Sequence, residues 1–177
     1  MSIVLIGMPS CGKSTVGVLL AKRLGMRFID SDLLIQESEG KLLHDIIAEC
    51  GNEGFLEIEN RVNCSITDAS AVISTGGSAV YGKEAMKHLS SIGVVVYIRI
   101  SYDTMAARLG DYVHRGVVMP ENYTLRQMYD ERSALYEKYA NITVDSCGDI
   151  SRTLENLVAA LGEFEKKLRM YVKEYCN

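Results

Sequence analysis

With 177 residues, 47% of them apolar and 24% charged, the sequence is long enough to bury the core of one domain and too short to suggest two. A net charge of −4 leaves no electrostatic footprint for nucleic acid or an anionic membrane surface, so a polyphosphate ligand would need a local positive site. The five cysteines (Cys11, Cys50, Cys64, Cys147 and Cys176) are odd in number, widely spaced and free of any CxxC pair, which argues against a disulfide framework or a zinc site and for a reducing, cytoplasmic setting. No apolar run approaches a membrane span, and no basic region precedes the first strand, so a soluble, unprocessed protein is expected.

The apolar run Ser2 to Ile6 reads as a strand feeding the glycine-rich turn Gly7 to Thr15, GMPSCGKST. Gly7, four free positions, Gly12, Lys13 and Ser14 match the spacing of a phosphate-binding loop, in which backbone N–H groups wrap the phosphates, Lys reaches the outer ones and the Ser hydroxyl meets Mg²⁺. The helix expected over Thr15 to Leu24 adds the partial positive charge of its N-terminus. Nucleotide contacts are therefore expected from Gly7, Ser10, Cys11, Gly12, Lys13, Ser14 and Thr15. Cys11 has two readings: a thiol activated by the helix N-terminus, or an inert small residue packed under the loop.

Met26 to Ile29 reads as a second strand after a Gly25 helix cap, and it delivers Asp30, Ser31 and Asp32. In an open parallel sheet ligands bind beyond the carboxyl ends of the strands, so these carboxylates should share a crevice with the phosphate loop, for metal handling or for deprotonating a hydroxyl. The bland alternative is that Ser31 or Asp32 merely caps the next helix. Residues 33–70 are helical in pattern, with 33–62 expected as a substrate flap. Val72 to Ser74 is a third strand ending in the glycine turn Thr75 to Ala79.

A short helix over 84–90 precedes Gly93 to Ile100, apolar enough for a buried central strand. A helix over Tyr102 to Leu109 follows, and then periodicity fails in a long stretch, 110–123, that reads as a mobile lid. Helix returns from Thr124 to Tyr139, with a fifth strand at Asn141 to Val144 and a packing helix at Ile150 to Leu161. Residues 162–177 form a charged amphipathic helical extension beyond a single domain, 1–161. Strands alternating with helices give an α/β fold, a three-layer arrangement with a five-stranded parallel sheet.

With these motifs in order, the sequence resembles shikimate kinase, within the nucleoside-monophosphate-kinase-like P-loop fold, from about Ile3 to Leu161. Besides the phosphate loop, the resemblance rests on IDSD at Ile29 to Asp32, GFLEIE at Gly54 to Glu59, STGGSAV at Ser74 to Val80, and ERSALYEKYANITVD at Glu131 to Asp145. It implies an ATP- and Mg²⁺-dependent phosphotransferase with an alcohol acceptor, acting in aromatic amino acid biosynthesis as a cytoplasmic monomer without nucleic-acid or membrane partners. By the same resemblance Lys13 would hold the β- and γ-phosphates, Ser14 and Asp30 the metal, and Asp32 the acceptor hydroxyl. Arg115 would close over the transferring phosphoryl group and Arg108 would lie against adenine. Arg132 would grip the acceptor carboxylate, and Gly76, Gly77 and Ser78 would line the acceptor site, the two glycines through backbone N–H groups.

The departures concern the acceptor. Leu56 stands where the family has an arginine that also holds the acceptor carboxylate, Ser78 replaces a third turn glycine, and Arg115 is followed by Gly116 rather than proline. Glu59, which would partner the missing arginine, is then free to hold another substrate group or is simply solvated. Shikimate is the leading acceptor, with another hydroxy acid such as homoserine or a sugar acid as the alternative. A nucleotide-binding regulatory module without turnover is a third reading, against which Asp32 and Arg115 argue because a pure binder needs neither.

Overall fold

The structure, a computed structural model, describes residues 1–110, 117–120, 122–146 and 148–175, with side chains described as far as residue 170. Strands β1 (Ser2–Ile6), β2 (Arg27–Asp30), β3 (Ala71–Ser74), β4 (Gly93–Arg99) and β5 (Ile142–Asp145) form one parallel sheet in the order β2-β3-β1-β4-β5. Every residue of β1 and β3, and all of β4 except Arg99, is buried. These strands are continuously apolar rather than alternating because helices cover both faces of the sheet.

The connecting helices are α1 (Lys13–Leu24), α2 (Ser31–Glu39), α3 (Leu43–Cys64), α4 (Lys83–Ile92), α5 (Tyr102–Leu109), α6 (Leu125–Tyr139) and α7 (Ile150–Tyr175). Helices α1 and α7 pack on one another beside the sheet, while α4 and α6 pack against β4. The α/β architecture expected from the alternation of elements is therefore present, with all five strands within a residue or so of their expected bounds.

The helices expected over 33–70 divide at Gly40, which ends α2 in a left-handed conformation at φ 66 with its N–H returned to the Gln36 carbonyl. Two local features depart from the sequence reading. Within α3, Gly51 takes φ 71 and ψ −179, a combination open almost only to glycine, and kinks the helix. Helix α3 then stops at Cys64, because residues 66–70 carry the chain to β3 and are tied to neighbouring elements. The Ile66 carbonyl meets His88 Nε2 at 2.7 Å, and the Asp68 carbonyl accepts from Ser2 Oγ at 2.7 Å.

Around the two halves of α3 a second apolar cluster forms, made of Ile35, Ile46, Phe55, Val62 and Val118. It is separate from the main core under the sheet, and Leu34, Leu43, Ile47, Leu56 and Ile58 pack on it. The segment 33–62 is thus held by its own small core. Residue Arg115 and residues 111–116 of the expected lid lie outside the described residues.

Candidate active site

The carboxyl ends of β1, β2 and β3 open into one cleft of about 300 Å³. Pro9, Ser10, Gly12, Lys13, Ser14 and Thr15 line it from the loop after β1, Asp32 from α2, Phe55 and Glu59 from α3, Thr75 to Ser78 from the turn after β3, and Arg132 from α6. Residues from five separate parts of the sequence reach this space because β1 sits between β3 and β4, so that the connections leaving β1 and β3 part at that point.

The loop geometry is built for an anion. Gly7 has φ 148, and a Cβ there would lie 2.6 Å from the Ile98 carbonyl oxygen, so the turn tolerates no side chain. Gly12 at φ 96 is the N-cap of α1, where no side chain caps the helix and no acidic residue stands in the first turn. The first-turn N–H groups of α1 have no partners within the helix and converge with its dipole on the cleft, which fits a phosphate chain. Lys13 is buried with them, and its Nζ donates to the Gly7 and Met8 carbonyls at 2.8 and 2.9 Å. Arg108 reaches the same loop, Nη1 donating to the Ser10 carbonyl at 3.5 Å.

Cys11 is packed under the loop, with Lys13 Nζ 3.7 Å from its Sγ. Its side chain is 2% exposed, belongs to the main core and does not line the cleft. The DSD stretch divides its labour: Asp30 is the N-cap of α2, accepting the Asp32 N–H at 3.0 Å, which frees Asp32 to enter the cleft. Ser14 Oγ lies 3.2 Å from Ser74 Oγ at the end of β3. Among the described residues no group of three or more His, Cys, Asp or Glu side chains converges as a protein-only metal cage. The hydroxyl of Ser14 and the second carboxylate oxygen of Asp30 are hard donors suited to Mg²⁺ shared with a phosphate.

Arg132, expected to meet the acceptor, is 1% exposed, which removes the solvated alternative that its helical spacing left open. Nη2 donates to the Val118 carbonyl, Nε donates to Tyr81 Oη at 3.4 Å, and the guanidinium carbon lies 5.2 Å from the Tyr81 ring centre. Tyr81 in turn donates to Glu131 at 2.9 Å. The Gly76 N–H, expected to face the acceptor, donates instead to Ser31 Oγ at 3.2 Å, because the glycine turn is pinned to α2. Gly77 sits with Arg132 Nη1 3.3 Å from where its Cβ would be, and Tyr136 Oη donates to its carbonyl at 2.6 Å.

Glu59 is not solvated. It is 1% exposed, and neither carboxylate oxygen has a hydrogen-bond partner among the described residues. Burial pushes its carboxyl up to about 7, with the Asp32 charge adding to the rise, while the nearby Ser78, Arg132 and Lys13 oppose it. Asp32 is pushed up to about 6, chiefly by burial and then by Asp30, against the pull of Lys13. Leu56 leans on the apolar cluster around α3 and is not among the residues lining the cleft. Sequence reasoning missed Pro9, Phe55 and Val118 as cleft residues and Tyr81 as the partner of Arg132. Phe55 was within reach through its place beside Glu59 in GFLEIE, whereas Tyr81 carries no local signal.

A family model described as shikimate kinase matches residues 9–162. The chain belongs to the shikimate kinase family. A shikimate kinase of Vibrio parahaemolyticus is 34% identical over 165 residues, covering 92% of this chain and 96% of that protein. One from Actinobacillus pleuropneumoniae is 38% identical over 148 residues, covering 82% of this chain and 86% of its own. Among solved structures, shikimate kinase from Acinetobacter baumannii in complex with shikimate has a TM-score of 0.76 at 28% identity, with 99% of this chain and 95% of that chain covered. The family assignment and the fold expected from the sequence are both borne out. As a shikimate kinase homologue over most of its length, the chain is a phosphotransferase of the P-loop kinase class.

Proposed function

We propose that this chain transfers the γ-phosphoryl group of ATP to a hydroxyl of shikimate, giving shikimate 3-phosphate and ADP. The observation that carries the reading is the convergence of an anion-binding loop, a cleft carboxylate and a buried arginine within one cavity of a shikimate kinase family member. A complex with shikimate is known for the Acinetobacter baumannii relative, and its fold is the one found here.

In this reading Lys13 leaves the Gly7 and Met8 carbonyls to meet the outer phosphates, and the first-turn N–H groups of α1 hold the inner ones. Mg²⁺, held by Ser14 and through water by Asp30, supplies neutralising charge between the phosphates when bound. Arg108 borders the nucleotide beside Ser10. Arg115 takes the role of closing over the phosphoryl group, by family resemblance alone. Asp32 orients the acceptor hydroxyl and receives its proton, for which a carboxyl raised to about 6 is better matched than an ordinary aspartate. Arg132, rigidly held by Val118 and Tyr81, grips the acceptor carboxylate, and Gly77 and Ser78 border it.

The segment 33–62 serves as the acceptor flap and 110–123 as a lid. We take the protein to act as a cytoplasmic monomer. Among the described residues no helix is long and apolar enough to cross a membrane.

The test is a kinetic split. Lys13→Ala should abolish shikimate-dependent ADP release in a folded protein, and Arg132→Ala should raise the shikimate KM at least tenfold while leaving the ATP KM nearly alone. Unchanged turnover in Lys13→Ala would remove the assignment.

A further inference from the structure

Among the described residues, the cleft contains one ionisable group that the phosphoryl-transfer reading does not use. Glu59 is completely enclosed, lines the cavity and has two unpartnered oxygens among the described residues. Burying a carboxylate without a partner is costly, and in most interiors a cation or several donors would stand against it. The Ser78 hydroxyl lies near enough to favour the charged form but carries no charge, and each nearby cation among the described residues is otherwise engaged. Lys13 Nζ is bound to two loop carbonyls, and Arg132 is bound to the Val118 carbonyl and Tyr81. Along α3 the residues one turn earlier are Phe55 and Leu56. One turn later, the Asn63 side-chain amide donates to the Glu59 backbone carbonyl, not to its carboxylate.

The position of the free carboxylate is well defined. A Cβ on Gly76 would lie 2.2 Å from Glu59 Oε1 and 2.8 Å from Asp32 Oδ1, so the two carboxylates converge beside the glycine turn. Arg132 reaches the neighbouring Gly77 from the other side. Among the described residues, the acceptor end of the cleft therefore presents the Arg132 cation and the Asp32 and Glu59 carboxylates. A ligand that satisfies all three carries a carboxylate for Arg132, a hydroxyl for Asp32 and a cationic donor for Glu59.

We propose that Glu59 makes this cleft a site for acceptors bearing a protonated amine, a small hydroxy amino acid being the class that meets all three groups. The inference rests on the kinase reading and adds a second acceptor class to it. The reaction is the same transfer: the acceptor oxygen forms a bond to the γ-phosphorus, the bond from that phosphorus to the β–γ bridging oxygen breaks, and ADP departs with the electron pair. The hydroxyl proton goes to Asp32, while the amine keeps its proton and pairs with Glu59. A charged pair of this kind in an enclosed site is directional and far stronger than its counterpart in water.

The test compares two acceptors that differ only in the amine, L-homoserine and 4-hydroxybutyrate, in wild type and Glu59→Gln. Binding to the MgADP complex is read by calorimetry, and phosphorylation by ADP release with shikimate run in parallel. The expected result is that wild type binds L-homoserine on the order of tenfold or more tighter than 4-hydroxybutyrate, and that Glu59→Gln brings this ratio close to one. The wild-type ratio stands alone if the variant does not fold. Equal binding of the two compounds by wild type overturns the inference, and so does a preference that survives in folded Glu59→Gln. A changed Mg²⁺ requirement in Glu59→Gln without any amine preference would give the carboxylate to a metal and likewise overturn it. Shikimate turnover with no amine preference leaves the proposed function standing without this inference. An amine preference in binding with no turnover of any acceptor does the reverse.

Discussion

Asp32 and Glu59 are carboxyls that the fold holds above their ordinary range, and both effects have measurable signs. Each binds a proton more readily in the folded chain than in the unfolded one, so their contribution to stability is complete at acid pH and is lost as the pH rises through about 6 for Asp32 and about 7 for Glu59. Glu59→Gln keeps the shape and removes the buried charge. Its Tm should match wild type near pH 4 and exceed it increasingly up to pH 8, and parallel Tm–pH curves for the two proteins would show that Glu59 is not buried as described. In the proposed reaction the sign is reversed, because Asp32 is there assigned to act in its ionised form. The wild-type kcat/KM should fall as the pH drops through about 6, and Asp32→Asn should lower kcat by about 10²–10⁴-fold with little change in ATP affinity. If ATP binding fell while turnover held, Asp30 and Asp32 would have exchanged roles.

At the scale of elements, α3 is the piece on which the acceptor side depends. Its kink at Gly51 separates the first turns from the half that carries Phe55 and Glu59 into the cleft. Nothing lies within 4 Å of a Cβ at Gly51, so Gly51→Ala introduces backbone strain without a steric clash. That strain is worth about 1–3 kcal/mol. We expect Gly51→Ala to raise the shikimate KM more than the ATP KM and to lower the Tm by several degrees. An unchanged acceptor KM would mean that the kink does not set the position of Glu59.

The kink also marks the limit of what the sequence reveals. The sheet was legible because its central strands are uninterrupted apolar runs, and the phosphate loop because its glycines and lysine have fixed spacing. Helix α3 read as continuous, since apolar periodicity passes through Gly51 on both sides and one glycine inside such a pattern does not announce a φ of 71. The burial of Arg132 depends on Tyr81, 51 residues earlier in the chain, and the burial of Glu59 on the glycine turn after β3. Contacts of that separation leave no trace in local spacing. Asp30 as the helix cap was a neighbouring case: three adjacent polar residues all suit the position, and only the folded turn selects among them.

For the whole molecule, α7 runs from Ile150 to Tyr175 and passes through Gly162 without a break. Phe164 still packs on the main core, whereas residues 165–170 are all exposed. Replacing the exposed Leu168 and Met170 by serine should therefore leave the Tm within about 2 °C of the wild-type chain and the turnover unchanged, since neither side chain is buried. A drop of more than about 5 °C would place the extension within the cooperative unit.

The central claim is that the loop, Asp32 and Arg132 act together on one acceptor. It is tested most directly by incubating the full chain with MgATP and shikimate and identifying the product by ³¹P NMR. Stoichiometric ADP and a new phosphomonoester on shikimate are expected, both absent in Lys13→Ala and without shikimate. ATP binding with no shikimate-dependent ADP release, or phosphate appearing only as free inorganic phosphate, would contradict it.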